Sequence, residues 1–456
     1  MVNRIFVEKQ SNYDNDAKKL RSELKSVLGI DCLNVRKILR YDIEGIDADI
    51  LAKAERTIFS EPTVDTTYKN LDFLKGKQMV IVEYHDGQYD QRADSAAQCV
   101  QFLQSGVRPL VSCATVYVFE KLTPVQLEKV KKYLINPVDS KEGSLSIPDT
   151  LIKTRTVADK MRIEVEGFIG LDNKALKAYY ESFGFAMNFE DIVFVQQYFA
   201  KMKRNPTYTE LKVIDTYWSD HCRHTTFLTE LKEVKIHSVN PHIEASFKAY
   251  RELFAELYKD REDKYICLMD IATIAAKKLR KEGYLNNLDE SEEINACSVL
   301  VNVDNDGVGE DWLIMFKNET HNHPTEIEPY GGAATCLGGA IRDPLSGRSY
   351  VYQAMRITGA GNPNERYEDT IEGKLPQKML TKTALAGFSS YGNQIGLATG
   401  IVHELYNDRY IAKRLETGYV IGGAPCANVR RERPKAGDLV LLVGGDTGRD
   451  GCGGAT

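Results

Sequence analysis

The chain has 456 residues, of which 43% are hydrophobic and 27% are charged, the ordinary composition of a globular protein of about three domains. Lys and Arg number 59 against 65 Asp and Glu, a formal charge of −6, which argues against a nucleic-acid partner. A membrane span is excluded because no run of about 18 apolar residues occurs. Nine scattered cysteines, with no Cys-x-x-Cys pair, predict reduced thiols in the cytoplasm rather than disulfides or structural zinc.

About the first 135 residues show two similar halves, each with the pattern strand, helix, strand. Strands are predicted at 5–8, 32–41, 79–83 and 114–119, and helices at 14–28, 95–103 and 124–134. This repetition predicts a ferredoxin-like α+β sandwich as a first domain at 1–150. Its only histidine, His85, has no partner at the spacing of a site, so a packing or assembly role is favoured.

The middle of the chain changes from a polar linker to helices and then to a mixed pattern. Turn formers dominate 137–160, and short helices are predicted at 173–183, at 188–203 and after Pro206, which indicates a helical linker domain at 151–210. Helices mixed with strand-like stretches, such as 297–303 and 312–316, predict a large α/β or α+β domain at 211–433.

The last residues, 434–456, are predicted to be the truncated start of a further domain. An apolar strand, Asp438–Val443, leads into a glycine-rich turn. A fold rarely ends there, so we expect the chain to be a fragment.

The first of two histidine-rich stretches follows Pro206. Thr207 and Glu210 match a capping box, which predicts that a helix starts there. Spacings of 3, 4 and 3 then define an apolar stripe of Leu211, Ile214, Trp218 and His221. A core histidine and a site histidine both fit His221. Zinc binding with His224 is disfavoured, because no third ligand is evident.

The second stretch is Trp312–Pro324. If it is extended, alternate residues share one face. That face carries Leu313, Met315, Lys317, Glu319, His321 and His323. The change from apolar to charged residues favours a buried strand that emerges into a cleft, although a solvated edge strand could show the same run. Lys317 could contact a phosphate, Glu319 could hold Mg²⁺, and His321 could transfer a proton near neutral pH.

Small residues fill the next segment, Gly331–Gly339. They would let backbone amides cradle a phosphate, or let two helices pack closely, and the sequence favours neither. Beyond them, Arg342 offers a bidentate anion clamp and Asp343 another Mg²⁺ ligand. A P-loop is excluded, because no Gly-x-x-x-x-Gly-Lys-Ser/Thr motif occurs.

Five stretches, in order along the chain, resemble phosphoribosylformylglycinamidine synthase. They are Tyr217–Thr225, Lys317–Pro324, Gly332–Asp343, Tyr391–Gly396 and Thr447–Gly451. The N-terminal domain is similar to the family's small S-type subunit, fused as in the long single-chain form. Two positions depart from the pattern: Asp220 stands where many members have Glu, and Cys336 where many have Gly.

The resemblance implies the fold of the aminoimidazole ribonucleotide synthetase superfamily, in which an α/β domain pairs with a copy of itself and a companion domain follows. It implies an ATP-dependent ligase of purine biosynthesis. The family converts formylglycinamide ribonucleotide into formylglycinamidine ribonucleotide, using ammonia from glutamine. ATP phosphorylates the amide oxygen to an iminophosphate, which ammonia then displaces. The second synthetase half and the glutaminase would be partners from the same full-length chain.

The motifs also carry residue roles from the family. His221 and His321 match catalytic positions, and Glu319 and Asp343 match Mg²⁺ positions. The ATP-binding matches are Lys317, Gly331, Gly332, Ala333, Ala334, Thr335, Gly338 and Gly339. The substrate-binding matches are Thr320, His321, Asn322, His323 and Arg342.

Two alternatives stand beside this interpretation. One is another ATP-using member of the superfamily, such as a selenophosphate or thiamine-phosphate enzyme, which the N-terminal domain and the 218–224 run disfavour. The other is a nucleotide-binding or assembly fragment without turnover on its own, which ATP binding without turnover would identify.

Overall fold

The structure is a computed structural model that describes residues 1–32, 34–106, 108–152, 163–185, 187–218, 224–293 and 296–444. The described residues form two compact units, one within 1–154 and 314–454 and one within 155–313. The predicted domain boundaries at 150, 210 and 433 stay predictions. Within the described ranges, no helix combines the length and the apolar character needed to cross a bilayer.

The N-terminal part of the first unit is a six-stranded sheet with four α-helices. Its strands are β1 (Val2–Lys9), β2 (Val35–Glu44), β3 (Asp65–Tyr68), β4 (Gln78–Tyr84), β5 (Leu110–Phe119) and β6 (Ser140–Glu142). Its helices are α1 (Asn15–Leu28), α2 (Ala48–Ala54), α3 (Gln91–Leu103) and α4 (Pro124–Leu134). All seven predicted elements are confirmed, and β3, β6 and α2 were not predicted.

The strand order, β3-β1-β2-β5-β4-β6, confirms two similar halves but not the ferredoxin-like connection. In a split β-α-β unit, a third strand separates two parallel strands that a helix links. Here β1 pairs directly and antiparallel with β2, and β4 does so with β5. The physical reason lies in β2, which pairs along both edges and so joins the halves at the centre of the sheet.

All four helices pack on one face of this sheet. Leu20, Leu24 and Leu28 form one stripe of α1 and pack with Val130 and Tyr133 of α4. A second cluster holds α2 and α3 against β1 and β2. Burial of these apolar stripes holds the helices against the sheet, and the packing or assembly role of this domain stays a prediction.

The second unit is mainly helical. Its helices are α5 (Asn173–Phe183), α6 (Phe189–Lys201), α7 (Tyr208–Trp218), α8 (His224–Leu228), α9 (Pro241–Leu257) and α10 (Leu268–Lys281). The predicted capping box is confirmed, since the Glu210 amide donates to Thr207 Oγ1 at 3.1 Å and the Thr207 amide donates to Glu210 Oε2 at 2.8 Å. A cluster that includes Phe168, Leu176 and Phe199 forms the core of α5–α7.

A five-stranded sheet is formed by strands within residues 297–425. Its strands are β7 (Cys297–Asn305), β8 (Val308–Thr320), β9 (Tyr350–Ala360), β10 (Thr399–Tyr406) and β11 (Leu415–Pro425), in the order β10-β9-β11-β8-β7. Its helices are α11 (Asn322–Ile327), α12 (Pro329–Ser346) and α13 (Gln377–Gln394). Leu337 of α12 and Phe388 of α13 pack against Val420 of β11. The mixed α and β character predicted for this region is confirmed.

The predicted strand at Asp438–Val443 is wrong. These residues have no strand conformation, and Leu439 to Val443 are 82–100% exposed. An apolar run becomes a buried strand only when a neighbouring strand pairs with it and a second layer covers it. The described part of the chain supplies neither.

Candidate active site

Strand β8 carries Lys317 and Glu319 of the predicted alternating face, but it ends at Thr320, so His321 and His323 lie beyond it at the start of α11. Lys317 Nζ lies 2.7 Å from Asp343 Oδ2 and 3.8 Å from Glu319 Oε2. The two carboxylates therefore converge on one point from β8 and α12. All three side chains are about one quarter to one third exposed, so a ligand can reach them. These charged side chains lie at the partly exposed end of the strand, and their roles in a site stay predictions.

The donor set suits magnesium. In the described ranges, no group of three or more His, Cys, Asp or Glu is placed to hold a metal ion. Mg²⁺ usually binds to one or two carboxylates and completes its octahedron with water and phosphate oxygens. Glu319 and Asp343 fit that requirement, and Lys317, which pairs with both of them in the structure, is the type of side chain that binds a phosphate.

His321 has a defined tautomer. Its Nδ1 lies 3.1 Å from the carbonyl oxygen of Gly332, which can only accept a hydrogen bond. Nδ1 therefore carries the proton, and in a neutral ring Nε2 carries the lone pair. The backbone orients the same residue, since its amide donates to the Glu416 carbonyl at 3.0 Å. This arrangement suits a proton acceptor.

The turn that follows β8, at His321 and Asn322, is hydrogen-bonded to β11. The Glu416 amide donates to Asn322 Oδ1 at 2.8 Å, and Thr325 Oγ1 donates to the His321 carbonyl at 2.6 Å. The oxygen of the Asn322 side chain is thus used within the protein, which leaves its amide nitrogen as the group to offer a substrate. Thr320, the last residue of β8, is exposed.

His323 contacts a lysine of the segment before β11. Lys413 Nζ lies 2.6 Å from His323 Nδ1. Burial lowers the pKa of His323 below its ordinary 6.5, and the charges of Lys413 and Lys374 lower it further. The ring is therefore neutral at pH 7.

Segment 331–339 lies inside α12, and its small residues serve close packing. An added Cβ on Gly332 would lie 2.4 Å from the Thr325 amide nitrogen, and one on Gly338 would lie 2.8 Å from the Tyr391 ring. Of the two roles that the sequence left open for this segment, the structure favours close packing over an amide cradle, because amides within a helix donate to the carbonyl four residues back. The Gly331 amide donates instead to Glu328, the N-cap of α12.

One side of α12 still faces the polar site. Ala334 and Gly339 are partly exposed and Thr335 is exposed, whereas Gly332, Ala333 and Gly338 are buried. An added Cβ on Gly339 would lie 3.3 Å from Glu319 Cγ. Small side chains here keep the surface beside Glu319 open. The predicted ATP contacts of residues 331–339 stay predictions of surface contact.

Two further motif residues have defined surroundings. Arg342 is exposed and donates through Nη1 to the Tyr391 hydroxyl at 3.3 Å. Cys336, one of the two residues that depart from the pattern of the resembled family, is buried, and its Sγ lies 3.3 Å from the Glu319 carbonyl oxygen. Burial raises the pKa of this thiol well above its ordinary value. Cys336 therefore lies in the packed interior.

A buried ionic network behind the site was not predicted. Arg356, Arg414, Glu416 and Glu326 are each at most 3% exposed. Arg356 donates to both carboxylate oxygens of Glu416, at 2.7 and 3.1 Å. The sequence did contain one signal for this network. Arg356 in β9 and Glu416 in β11 are charged residues at inward positions of otherwise apolar strands. His221, Asp220 and the 447–451 motif lie outside the described residues.

Known proteins match parts of this chain. The family model of the formylglycinamide ribonucleotide amidotransferase linker domain matches residues 176–224. Phosphoribosylformylglycinamidine synthase subunit PurL of Picrophilus torridus is 27% identical over 270 residues, which are 58% of this chain and 28% of that protein. The same subunit of Aquifex aeolicus is 37% identical over 143 residues, 31% of this chain and 18% of that protein.

Solved structures of T. maritima PurL also match. The complex with ADP is 21% identical, covers 50% of this chain and 26% of that chain, and has a TM-score of 0.27. The chain spans less than a third of the length of each of these three relatives.

Proposed function

Because the chain is related to the phosphoribosylformylglycinamidine synthases of the PurL type, we propose that it contributes the ATP and substrate site of an ATP-dependent formylglycinamide ribonucleotide amidotransferase in purine biosynthesis. The observation that carries the proposal is the convergence of Lys317, Glu319 and Asp343, with the tautomer of His321 fixed two residues along.

In this proposal the charged residues of β8 and α12 bind the nucleotide. Glu319 and Asp343 would hold Mg²⁺, which supplies charge neutralisation at the phosphates. Lys317 leaves its bond to Asp343 to contact a phosphate oxygen. The open surface formed by Ala334, Thr335 and Gly339 lets the nucleotide approach β8.

The residues after β8 bind and activate the ribonucleotide substrate. His321 takes up a proton through Nε2, while its Nδ1–H remains bonded to the backbone. Thr320, the Asn322 amide nitrogen and His323 supply hydrogen bonds, and Arg342 supplies a charge for an anionic group. His221 is proposed as a second active-site histidine from the motif alone.

Partners from the same full-length protein complete the proposal: a glutaminase that supplies ammonia, and a second synthetase half. The second synthetase half is supported by the outer face of the five-stranded sheet, which is the face opposite α12 and α13. Phe316 and Tyr419 lie on this face with ring centroids 6.1 Å apart. The register adds Met355, Ile401 and Leu405, of which the last two are about half exposed. An apolar sheet face of this kind is suited to a second layer.

The free cysteines of the described ranges support a cytoplasmic protein.

Calorimetric titration of the chain with ATP, with and without Mg²⁺, tests the proposal. We expect Mg²⁺-dependent binding that Glu319→Gln weakens roughly tenfold or more, since a charged ligand is lost. Asp306→Asn is the matched control. It removes one carboxylate from the turn between β7 and β8, where φ is 52°, a backbone conformation that Asn also adopts.

A phosphate-release assay with formylglycinamide ribonucleotide and ammonia then separates the two functions. Release above the ATP-only rate supports the amidotransferase. Mg²⁺-dependent ATP binding without release supports the alternative, a nucleotide-binding or assembly fragment. Equal ATP affinity for the parent and Glu319→Gln would contradict the metal assignment.

A further inference from the structure

The contact between Lys413 and His323 determines which nitrogen of the histidine ring carries the proton. A charged lysine has three N–H donors and no acceptor, so His323 Nδ1 must accept the 2.6 Å bond. The proton of the neutral ring is then on Nε2. His321 has the opposite tautomer, because its Nδ1 donates to a carbonyl. Two histidines separated by one residue thus present different chemistry.

The charges that act on His323 keep it neutral. Burial lowers its pKa first, and the positive charges of Lys413 and Lys374 add to that effect. Glu326 is the group that acts in the opposite direction, and it also pairs with Lys374 at 3.3 Å. The positive charges therefore outweigh the negative one, and Nε2–H remains a neutral donor at pH 7.

Lys413 is held in place through Lys374 and the buried Glu326, although its own side chain is exposed. On one side, Lys374 Nζ donates to the Ala412 carbonyl at 2.5 Å. On the other side, the Arg414 amide donates to Glu326 Oε2 at 3.0 Å, and Glu326 is only 3% exposed. Glu326 belongs to α11, the helix that carries His323. Both peptide neighbours of Lys413 are thus tied to the element that holds its partner.

We propose that Lys413 is a positioning residue that fixes His323 as the neutral Nε2–H tautomer. His323 then donates a hydrogen bond to an anionic oxygen of the substrate, while His321 accepts a proton. The two imidazoles are therefore not interchangeable. The role toward substrate rests on the proposed function, whereas the tautomer depends on the contact alone.

Two-bond ¹H–¹⁵N spectra of the ¹⁵N-histidine-labelled chain read the tautomer without any need for activity. His323→Gln identifies the resonances of His323. We expect Nε2–H in the parent and in Lys413→Arg, which keeps a donor that cannot accept. In Lys413→Met we expect both tautomers and a pKa closer to the ordinary 6.5. Lys378→Met, which removes a lysine that contacts Ser26, is the control and leaves these signals unchanged.

Binding of formylglycinamide ribonucleotide tests the consequence. Lys413→Met should weaken it roughly tenfold without a change in Mg-ATP affinity, and Lys413→Arg should restore it. A proton on Nδ1 of His323 in the parent overturns the inference, and so does an unchanged tautomer in Lys413→Met. If Lys413→Met does not fold, the parent spectrum still decides. If the chain binds no substrate at all, the proposed function fails, but the spectra still decide the role of Lys413.

Discussion

Replacing Glu416 with glutamine should destabilise the chain strongly. Arg356 donates through Nε and Nη2 to the two oxygens of this carboxylate, and neither side chain is exposed to solvent. Arg414, also fully buried, lies 2.9 Å from the same carboxylate. With the charge of Glu416 removed, Arg356 would keep Glu404, which lies 2.8 Å away, but Arg414 would lose the carboxylate it pairs with.

The size of the effect follows from that burial. Removing one partner of a buried ion pair costs about 3–5 kcal/mol, because the other charge is left uncompensated. At about 2.1 cal/mol/K per residue, a unit of roughly 300 residues loses about 1.6 °C per kcal/mol, so the melting temperature should fall by roughly 5–8 °C. Arg356 cannot escape by losing its proton. A guanidinium group stays protonated in proteins whether or not it keeps its carboxylate partner.

Differential scanning calorimetry measures this fall, and a surface pair supplies the control. Arg366 donates to both oxygens of Asp369, at 2.8 and 2.7 Å, the same bidentate geometry as the buried pair. Its side chains are 75% and 45% exposed, so Asp369→Asn should leave the melting temperature nearly unchanged. Equal shifts for Glu416→Gln and Asp369→Asn would refute the reasoning, because geometry and not burial would then determine the cost.

Three other consequences can be measured. Gly387→Ala should lower the free energy of unfolding by about 1–3 kcal/mol, because the added Cβ would lie 2.0 Å from the Tyr330 carbonyl oxygen; an unchanged urea midpoint would contradict this. Hydrogen bonding to Arg204 holds the pKa of Glu210 at about 2, so its stabilising effect is present above pH 4.5 and is lost as the pH falls toward 2; acid titration followed by circular dichroism should show a smaller loss in Glu210→Gln. Serine at alternate positions of Leu439–Val443 should reduce self-association in light scattering, because these side chains are 82–100% exposed, and undiminished association would show that another surface is responsible.

The sequence by itself predicted the local elements and the chemistry of the β8 strand. Helices α4 and α5 begin and end where the pattern placed them, because caps and apolar stripes are properties of a few neighbouring residues. Strand alternation likewise placed Lys317 and Glu319 on one face, where they meet Asp343. Helix caps, apolar stripes and strand alternation each depend on a few residues that are close together in the sequence. They can therefore be recognised without knowledge of distant residues.

Tertiary structure decided what depends on distant partners. The small residues 331–339 became the interior of α12 because Thr325 and Tyr391 approach them there, and their sequence alone was compatible with a phosphate cradle. The apolar run at 438–443 did not become a strand, because pairing needs a neighbour that local pattern cannot supply. The tautomer of His323 depends on Lys413, 90 residues away. A hydrogen bond or a buried charge pair forms only when two atoms lie within a few ångströms of each other. When those atoms are far apart in the sequence, only folding brings them together.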